Sequence, residues 1–411
     1  MTNPLFQPVT LPNGVVLPNR LVKSAMAENM AGAGQLPDEK IFHLYQRFAQ
    51  GGVGLMITGN VMVDDNGVST AGDVVLMADT PLAPFEQWAK TAQQQGGKII
   101  MQINHPGRQA MAGLGKHTYA PSAIGVNLGK YSKQFVQPQA MNEQEIQQTI
   151  QRFAETAKRA EQAGFDGVQI HAAHGYLISQ FLSPLANQRE DKWGGSLANR
   201  ARFLLEVVDA VRAVVSPQFI VAIKLNSADF QRGGFSQQDA QQVIAALNHK
   251  AIDFVELSGG NYESPSLLGE KSQDEHTLAR EAYFLEFAKD IQKTAQMPLM
   301  TTGGIRRQAV AEQVLAAGMA LVGMATALAL NPNLPQQWQQ GNAIDGERIE
   351  IHWQDKMLRS TAIMMIVQRQ LLRLATGKSA GSKLNPIWTL ILSKWRQEKK
   401  KKRYQQWLAT R

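Results

Sequence analysis

Short apolar runs rich in Val, Ile and Leu recur along the chain, each followed by a polar turn and then a longer stretch with helical spacing. Eight such runs stand out: LVKSAM (21–26), VGLMITG (53–59), KIIMQIN (98–104), GVQIHA (167–172), IVAIKL (220–225), FVELSGG (254–260), PLMTTGG (298–304) and LVGMATA (321–327). Continuous apolar character, rather than alternation, marks strands buried on both faces, as parallel strands are when crossover helices cover them. Eight βα units predict an α/β protein built as a TIM (β/α)8 barrel, because that number closes around an interior filled by side chains. The helical stretches fit: 142–164 starts at Asn142, a good N-cap, and stops just before Gly164.

Two extended runs around Asn13 and Gly14 in VTLPNGVVLPNR predict a hairpin that caps the N-terminal end of the barrel. After the eighth run, 335–411 carries further helical periodicity, expected to pack outside the barrel. The pattern divides the chain into a barrel domain, 1–334, and a C-terminal helical extension, 335–411, with a basic tail. Two connections are long and irregular, Asn104 to Asn142 and Asn261 to Ala279. Such lengths in a compact domain point to functional lids.

Composition is that of an ordinary globular protein, 44% hydrophobic and 18% charged. No run is long enough to cross a bilayer and the start has no leader pattern, so the expected location is cytoplasmic. Cysteine is absent, which excludes disulfides, thiolate-held zinc, iron–sulfur clusters and a cysteine nucleophile. The net charge of +8 is nearly all local: residues 394–411 hold eight Lys or Arg and one Glu, giving +7. A nearly neutral body argues against nucleic acid as a partner. The tail, beside the apolar IWTLIL, reads first as a solvated, fraying helix and second as a weak contact with an anionic membrane surface. Self-association is left open.

In a barrel of this kind chemistry gathers at the C-terminal strand ends. Gly303 and Gly304, after the seventh run, with Ala325 and Thr326, at the eighth, suit a phosphate, where backbone N–H groups approach an anion closely. At the end of the fourth run, HAAHGY sets His171, His174 and Tyr176 close together. Zinc ligation by paired histidines needs helical spacing and an acidic third ligand, and neither is present here. One histidine capping a loop while the other is buried is the plainer alternative. Two imidazoles and a phenol facing a phosphate-bearing cofactor suit a pair that binds an oxygen atom, with a proton donor beside it. Asn29 and Tyr283 are candidates for the pocket mouth, whereas Arg108, Arg200, Arg202 and the segment DKWGGS are expected to shape loops.

The motifs PNRLVKSAMAE, QINHPGR, IHAAHGYLISQFLSPLANQREDKWGGSLANRARF, VELSGG and TTGG together make the chain resemble the old yellow enzyme family of FMN-dependent NADH:flavin oxidoreductases and ene-reductases, from about Leu5 to Pro332. The resemblance implies that the flavin ring lies against Ala25, Met26 and Asn60, with Gln102 on its pyrimidine edge and Lys224 supplying positive charge. It places the FMN phosphate on Gly303, Gly304, Ala325 and Thr326. Many relatives carry Arg where Thr326 stands, which implies weaker FMN retention unless Arg306 or Arg307 compensates. His171 and His174, with Asn29 nearby, would bind the carbonyl or nitro oxygen of a small-molecule substrate. Tyr176 would protonate its α-carbon.

Ala27 occupies the position where one branch has a potential-tuning cysteine, and the branch with a cluster and an added nucleotide domain is also excluded. The resemblance thus implies a short reductase that takes electrons from NADH or NADPH and reduces an activated C=C bond, donor and acceptor alternating over one flavin face. Two alternatives remain at this stage: an NADH oxidase that passes electrons to dioxygen, and a non-catalytic flavin-binding or membrane-surface scaffold.

Overall fold

The structure is a computed structural model that describes residues 3–115, 117–264, 281–282, 284–381 and 383–411. All eight predicted runs form strands: β1 (Leu21–Lys23), β2 (Leu55–Ile57), β3 (Lys98–Asn104), β4 (Gly167–Ala172), β5 (Ile220–Asn226), β6 (Phe254–Ser258), β7 (Leu299–Thr301) and β8 (Leu321–Met324). Each pairs in parallel with its neighbours in sequence, β8 pairs with β1, and the ring is closed. A helix follows each strand. These are α1 (Glu39–Gln50), α2 (Ala83–Gln93), α3 (Glu143–Gln162), α4 (Leu197–Arg212), α5 (Gln237–Leu247), α6 (Leu285–Gln292), α7 (Gln308–Ala316) and α8 (Thr326–Leu330). The chain is therefore a (β/α)8 barrel.

Local signals act where the sequence places them. Asn142 caps α3 in a reciprocal capping box with Glu145, and Gly164, just beyond, has φ +80°, the left-handed conformation that ends a helix. Val9–Thr10 pairs antiparallel with Val16–Leu17, and Gly14 at φ +86° makes the turn. Leu11 and Leu17 of this hairpin pack on Leu55, Ile100, Ile220, Phe254 and Leu321, inward residues from five strands, and so seal the lower end of the barrel. The interior is apolar below and polar above.

The long connection after β3 is built from two 3-10 turns, Gly107–Gln109 and Gly129–Gln134, and a two-residue pairing of Tyr119–Ala120 with Gln139–Ala140. Most of the other long connection, and Tyr283, lie outside the described residues.

The tail departs from the expectation of a fraying helix. Beyond the barrel, α9 (Lys356–Ala375) packs on α1, and α10 (Pro386–Leu408) returns across the upper face. Tyr404 is fully buried among Met62, Val68, Ala71, Val75 and Leu114, with its hydroxyl donating to the carbonyl of Asp65. Trp407 and Leu408 pack against the same cluster, and Arg411 pairs with Asp79 at 2.7 Å. Apolar positions at i, i+3 and i+4 anchor the last turns, which a reading of the charge run alone passes over. Among the described residues, no helix is long and apolar enough to cross a membrane.

Candidate active site

Above the apolar layer, four polar side chains form a rung inside the barrel. Gln102 of β3 donates to Gln169 of β4 at 2.7 Å, Gln169 donates to Glu256 of β6 at 2.8 Å, and Lys224 of β5 meets the other oxygen of Glu256 at 2.8 Å. Register explains the rung: Gln102 lies beside Gln169 and Lys224 beside Glu256, and side chains two apart on a strand share a face. All four are buried, so each charge and amide needs its partner. Gln169 and Glu256 were not anticipated. The only sequence signal was a polar residue in the middle of an otherwise apolar run.

One step higher, in register with Lys224, His171 emerges from β4. Its ring centroid is 5.1 Å from that of His174 and 4.8 Å from that of Tyr176. The three predicted residues therefore come together. His171 Nδ1 accepts the backbone N–H of Ala173 at 3.3 Å, which leaves the ring proton on Nε2. His174 has φ +60°, uncommon for a residue with a side chain. That backbone is held from both sides: Asn226 accepts its N–H at 3.1 Å and Gln109 donates to its carbonyl at 3.1 Å. Nε2 of His174 lies 2.8 Å from Ser258 Oγ, so Nδ1 is the nitrogen left to face a ligand.

Burial first, and the nearby Lys224 cation second, hold both imidazoles well below the usual histidine range, so they are neutral at physiological pH. Tyr176 donates to or accepts from Tyr262 at 3.1 Å; burial, then the neighbouring Tyr262, pushes its phenol well above the ordinary value. The site thus offers neutral N–H donors and a protonated phenol.

The floor beside β1 and β2 is fixed by a second unpredicted set. Lys23 points outward from the barrel toward α1, where it pairs with Glu28 at 3.4 Å and donates to the carbonyl of Ile57 at 2.7 Å. Glu28 also takes the Tyr45 hydroxyl at 2.6 Å and the N–H of Gly59 at 3.1 Å. This ties the segments bearing Ala25, Met26 and Asn60 to one another.

The residues present suit FMN. Both side-chain polar atoms of Asn104 are buried without a partner near this floor, a state natural proteins rarely leave unless a ligand completes it, and Asn60 reaches the Tyr176 hydroxyl. Gln102 has its Nε2 committed to Gln169, leaving its oxygen to accept from an imide N–H. Gly303 and Gly304 have φ +116° and +72°, and they sit at the end of β7 beside Ala325 and Thr326 at the end of β8. The start of α8 has no side-chain cap, which leaves its first N–H groups for an anion. Arg306 and Arg307, which follow this cradle, are both paired with Glu281, at 3.2 and 2.8 Å.

Asn29 is held by contacts of its own. It is buried at φ +54°, its Oδ1 takes the Thr70 hydroxyl at 3.2 Å, and it lines a small cavity with Asn60. Arg108 bridges Glu263 and Gly125, Arg200 binds the carbonyls of Leu182 and Gly195, and Arg202 binds that of Lys192. These three pin loops, as expected. In DKWGGS, Trp193 is buried and its N–H is capped by Asp191.

A closed (β/α)8 barrel whose polar side chains gather at the C-terminal strand ends has the architecture of a barrel enzyme. A model of the NADH:flavin oxidoreductase / NADH oxidase family matches residues 4–345. The "NADH-dependent flavin oxidoreductase iliE" of Hypocrea jecorina (strain QM6a) is 40% identical over 350 residues, covering 80% of this chain and 87% of that protein. Among solved structures, the old yellow enzyme homologue from Zymomonas mobilis superposes with a TM-score of 0.71 at 23% identity, over 86% of this chain and 98% of the other. A 2-naphthoyl-CoA reductase superposes at 0.80 with 24% identity, over 92% of this chain and 58% of the other. The chain belongs to the NADH:flavin oxidoreductase / NADH oxidase family, the old yellow enzymes. It is an FMN-dependent oxidoreductase with NAD(P)H as electron donor.

Proposed function

We propose that the protein reduces the activated C=C bond of α,β-unsaturated carbonyl or related electrophilic acceptors. The observation that carries this reading is the convergence of two neutral, buried imidazoles and one protonated phenol within about one ring's width of each other. FMN, when bound, would supply the hydride chemistry, hydride from NAD(P)H ending on the β-carbon of the acceptor, so that this hydride and one proton together saturate the bond. His171, through Nε2–H, and His174, through Nδ1–H, donate to the acceptor oxygen; for His174 this requires Ser258 to donate its hydroxyl proton to Nε2. Two such donors in a buried site draw electron density away from the β-carbon. Tyr176 delivers its proton to the α-carbon, the position a phenol beside the imidazoles reaches. Lys224 places positive charge below the pair, with Glu256 fixing its direction.

The test is colour and anaerobic turnover. A yellow protein that is bleached by NADH and recolours only when an enone is added supports the reading. Recolouring by dioxygen with no response to any enone supports an NADH oxidase instead.

We further propose a weak accessory contact between α10 and an anionic membrane surface. Its outer face shows Ile387, Trp388, Ile391 and Trp395, exposed by 51–62%, flanked by the exposed Lys394 and Lys399. Trp388→Ala with Trp395→Ala should abolish co-sedimentation with phosphatidylserine vesicles, and wild-type protein that stays in the supernatant removes the contact.

A further inference from the structure

Between the barrel and the two C-terminal helices lies a cavity of about 230 Å³, roofed by α9 and α10 and floored by the segment 28–31 after β1. Five cations line it: Lys40 at the start of α1, Arg369 on α9, and Arg396, Lys400 and Arg403 on α10. Lys40 has Asp38 as a partner at 3.1 Å. Among the described residues the other four have no carboxylate at ion-pair distance; Asp73 acts on Lys400 only through space, and less strongly than Arg403. Arg369 donates to the Thr389 hydroxyl at 2.8 Å, Lys400 to the carbonyl of Asn29 and Arg403 to the carbonyl of Ala31. Arg403 Nε is buried with no partner at all. The one acid in the wall, Glu28, is already committed to Lys23, Tyr45 and Gly59.

Such crowding is costly without an anion. Burial, then Arg403, pushes the Lys400 amine down to about 8, and burial, then Arg396, lowers the Arg369 guanidinium. Protein cations that gain nothing from one another gain a great deal from a shared phosphate, which takes several charge-assisted hydrogen bonds at once. The volume suits a diphosphate, since a water takes roughly 30 Å³ of liquid. Four of the five cations lie beyond residue 345, where the match to the family model ends, so family membership does not account for them.

We propose that this cavity is an anion subsite that holds the phosphate groups on the adenosine arm of a ligand whose reactive end enters the barrel mouth. The link between the two is Asn29, whose carbonyl meets Lys400 on one side and which lines a cavity with Asn60 on the other. The shared chemistry has two sources, a nicotinamide dinucleotide donor or an acyl-CoA acceptor. The assignment of the reactive end rests on the function proposed above; the anion subsite does not.

The experiment titrates flavin-loaded protein with inorganic pyrophosphate, 2′,5′-ADP and 3′,5′-ADP at low ionic strength by calorimetry. Arg396 makes no hydrogen bond that shapes the fold among the described residues, so Arg396→Gln is the first variant, with Arg396→Lys to restore the charge and melting curves to confirm folding. Pyrophosphate should bind, Arg396→Gln should weaken it about tenfold or more, and Arg396→Lys should recover most of the loss. Preference for 2′,5′-ADP, with a KM rise for NADPH in Arg396→Gln, assigns the donor; preference for 3′,5′-ADP, with a KM rise for a CoA-linked enone but not for its N-acetylcysteamine analogue, assigns the acceptor. No pyrophosphate binding, binding indifferent to Arg396→Gln, or binding lost with every KM unchanged overturns the proposal. Protein that binds pyrophosphate but never takes up FMN would instead overturn the proposed function and leave the subsite standing.

Discussion

Lys224 Nζ lies 2.8 Å from Glu256 Oε1, and both side chains are buried in the barrel interior directly below the histidine pair. The pair resolves a conflict the site would otherwise have. A lone buried cation there would hold the imidazoles neutral but would itself be unstable, and Glu256, steadied by Gln169, removes that instability. Glu256→Gln leaves Lys224 unpaired in low dielectric and is expected to cost about 3–5 kcal/mol in urea unfolding, the usual price of breaking one side of a buried pair. A variant within about 1 kcal/mol of wild type would mean that the attraction here does no more than offset desolvation.

Tyr176 and the two histidines set a flat pH profile. The imidazoles titrate below their ordinary 6.5 and the phenol above its ordinary 10.0, so none changes charge between those limits. The rate of the acceptor half-reaction, measured by stopped flow, should be level across that range. Tyr176→Phe should lower it by roughly 10² to 10⁴ while leaving reduction by NADH intact. Equal loss in both half-reactions would remove Tyr176 from the role of proton donor.

Much of the fold was legible because every barrel strand is covered on both sides, which writes it into the sequence as an apolar run. The same feature concealed part of the site. Gln169 and Glu256 acquire meaning only when closure of the ring puts them beside Gln102 and Lys224, and one sequence does not display cross-strand register. His171, His174 and Tyr176 were readable because they are local, within six residues on one strand end. Lys23, Glu28 and Tyr45 were not, since their partnership runs between a strand, a loop and a helix. The tail misled for another reason: its charge run is conspicuous, and the three anchoring residues Tyr404, Trp407 and Leu408 within it are not.

Thr326→Arg should tighten FMN. Arg306 and Arg307, the two arginines that follow β7, are both paired with Glu281. One added charge-assisted hydrogen bond is worth about 1.5–3 kcal/mol, and flavin release measured by fluorescence should slow or weaken by about tenfold or more. An unchanged dissociation constant would show that the backbone cradle alone saturates the phosphate.

His105 makes the protein sensitive to acid. It is buried beside the long connection, accepts the N–H of Gly107 at 3.1 Å, and burial lowers it to about 4 from an ordinary 6.5. The unfolded chain therefore takes up a proton first as pH falls. Stability is whole above 6.5, declines through the interval down to about 4, and the loss from this group is on the order of 3 kcal/mol. His171 and His174 act in the same direction. His105→Asn, which keeps an acceptor for Gly107 but does not titrate, should give a shallower acid limb in chemical denaturation.

Tyr404 decides whether the tail is structural. Its ring fills a pocket formed by Met62, Val68, Ala71, Val75 and Leu114, and its hydroxyl meets the carbonyl of Asp65, so α10 is fastened to the segments that follow β2 and β3. Those segments stand beside Asn60 and Asn104, and both side-chain polar atoms of Asn104 are buried without a partner. Tyr404→Ala removes a fully buried aromatic side chain, for which a loss of about 3–5 kcal/mol is ordinary. Because the contact is peripheral to the barrel, the loss should fall on local opening rather than on global unfolding. Hydrogen exchange should therefore speed up in residues 61–79 and 110–115 while the barrel strands keep their protection. Unchanged exchange in those segments, with α10 itself still protected, would show that the helix is held by α9 and not by its seat on the barrel.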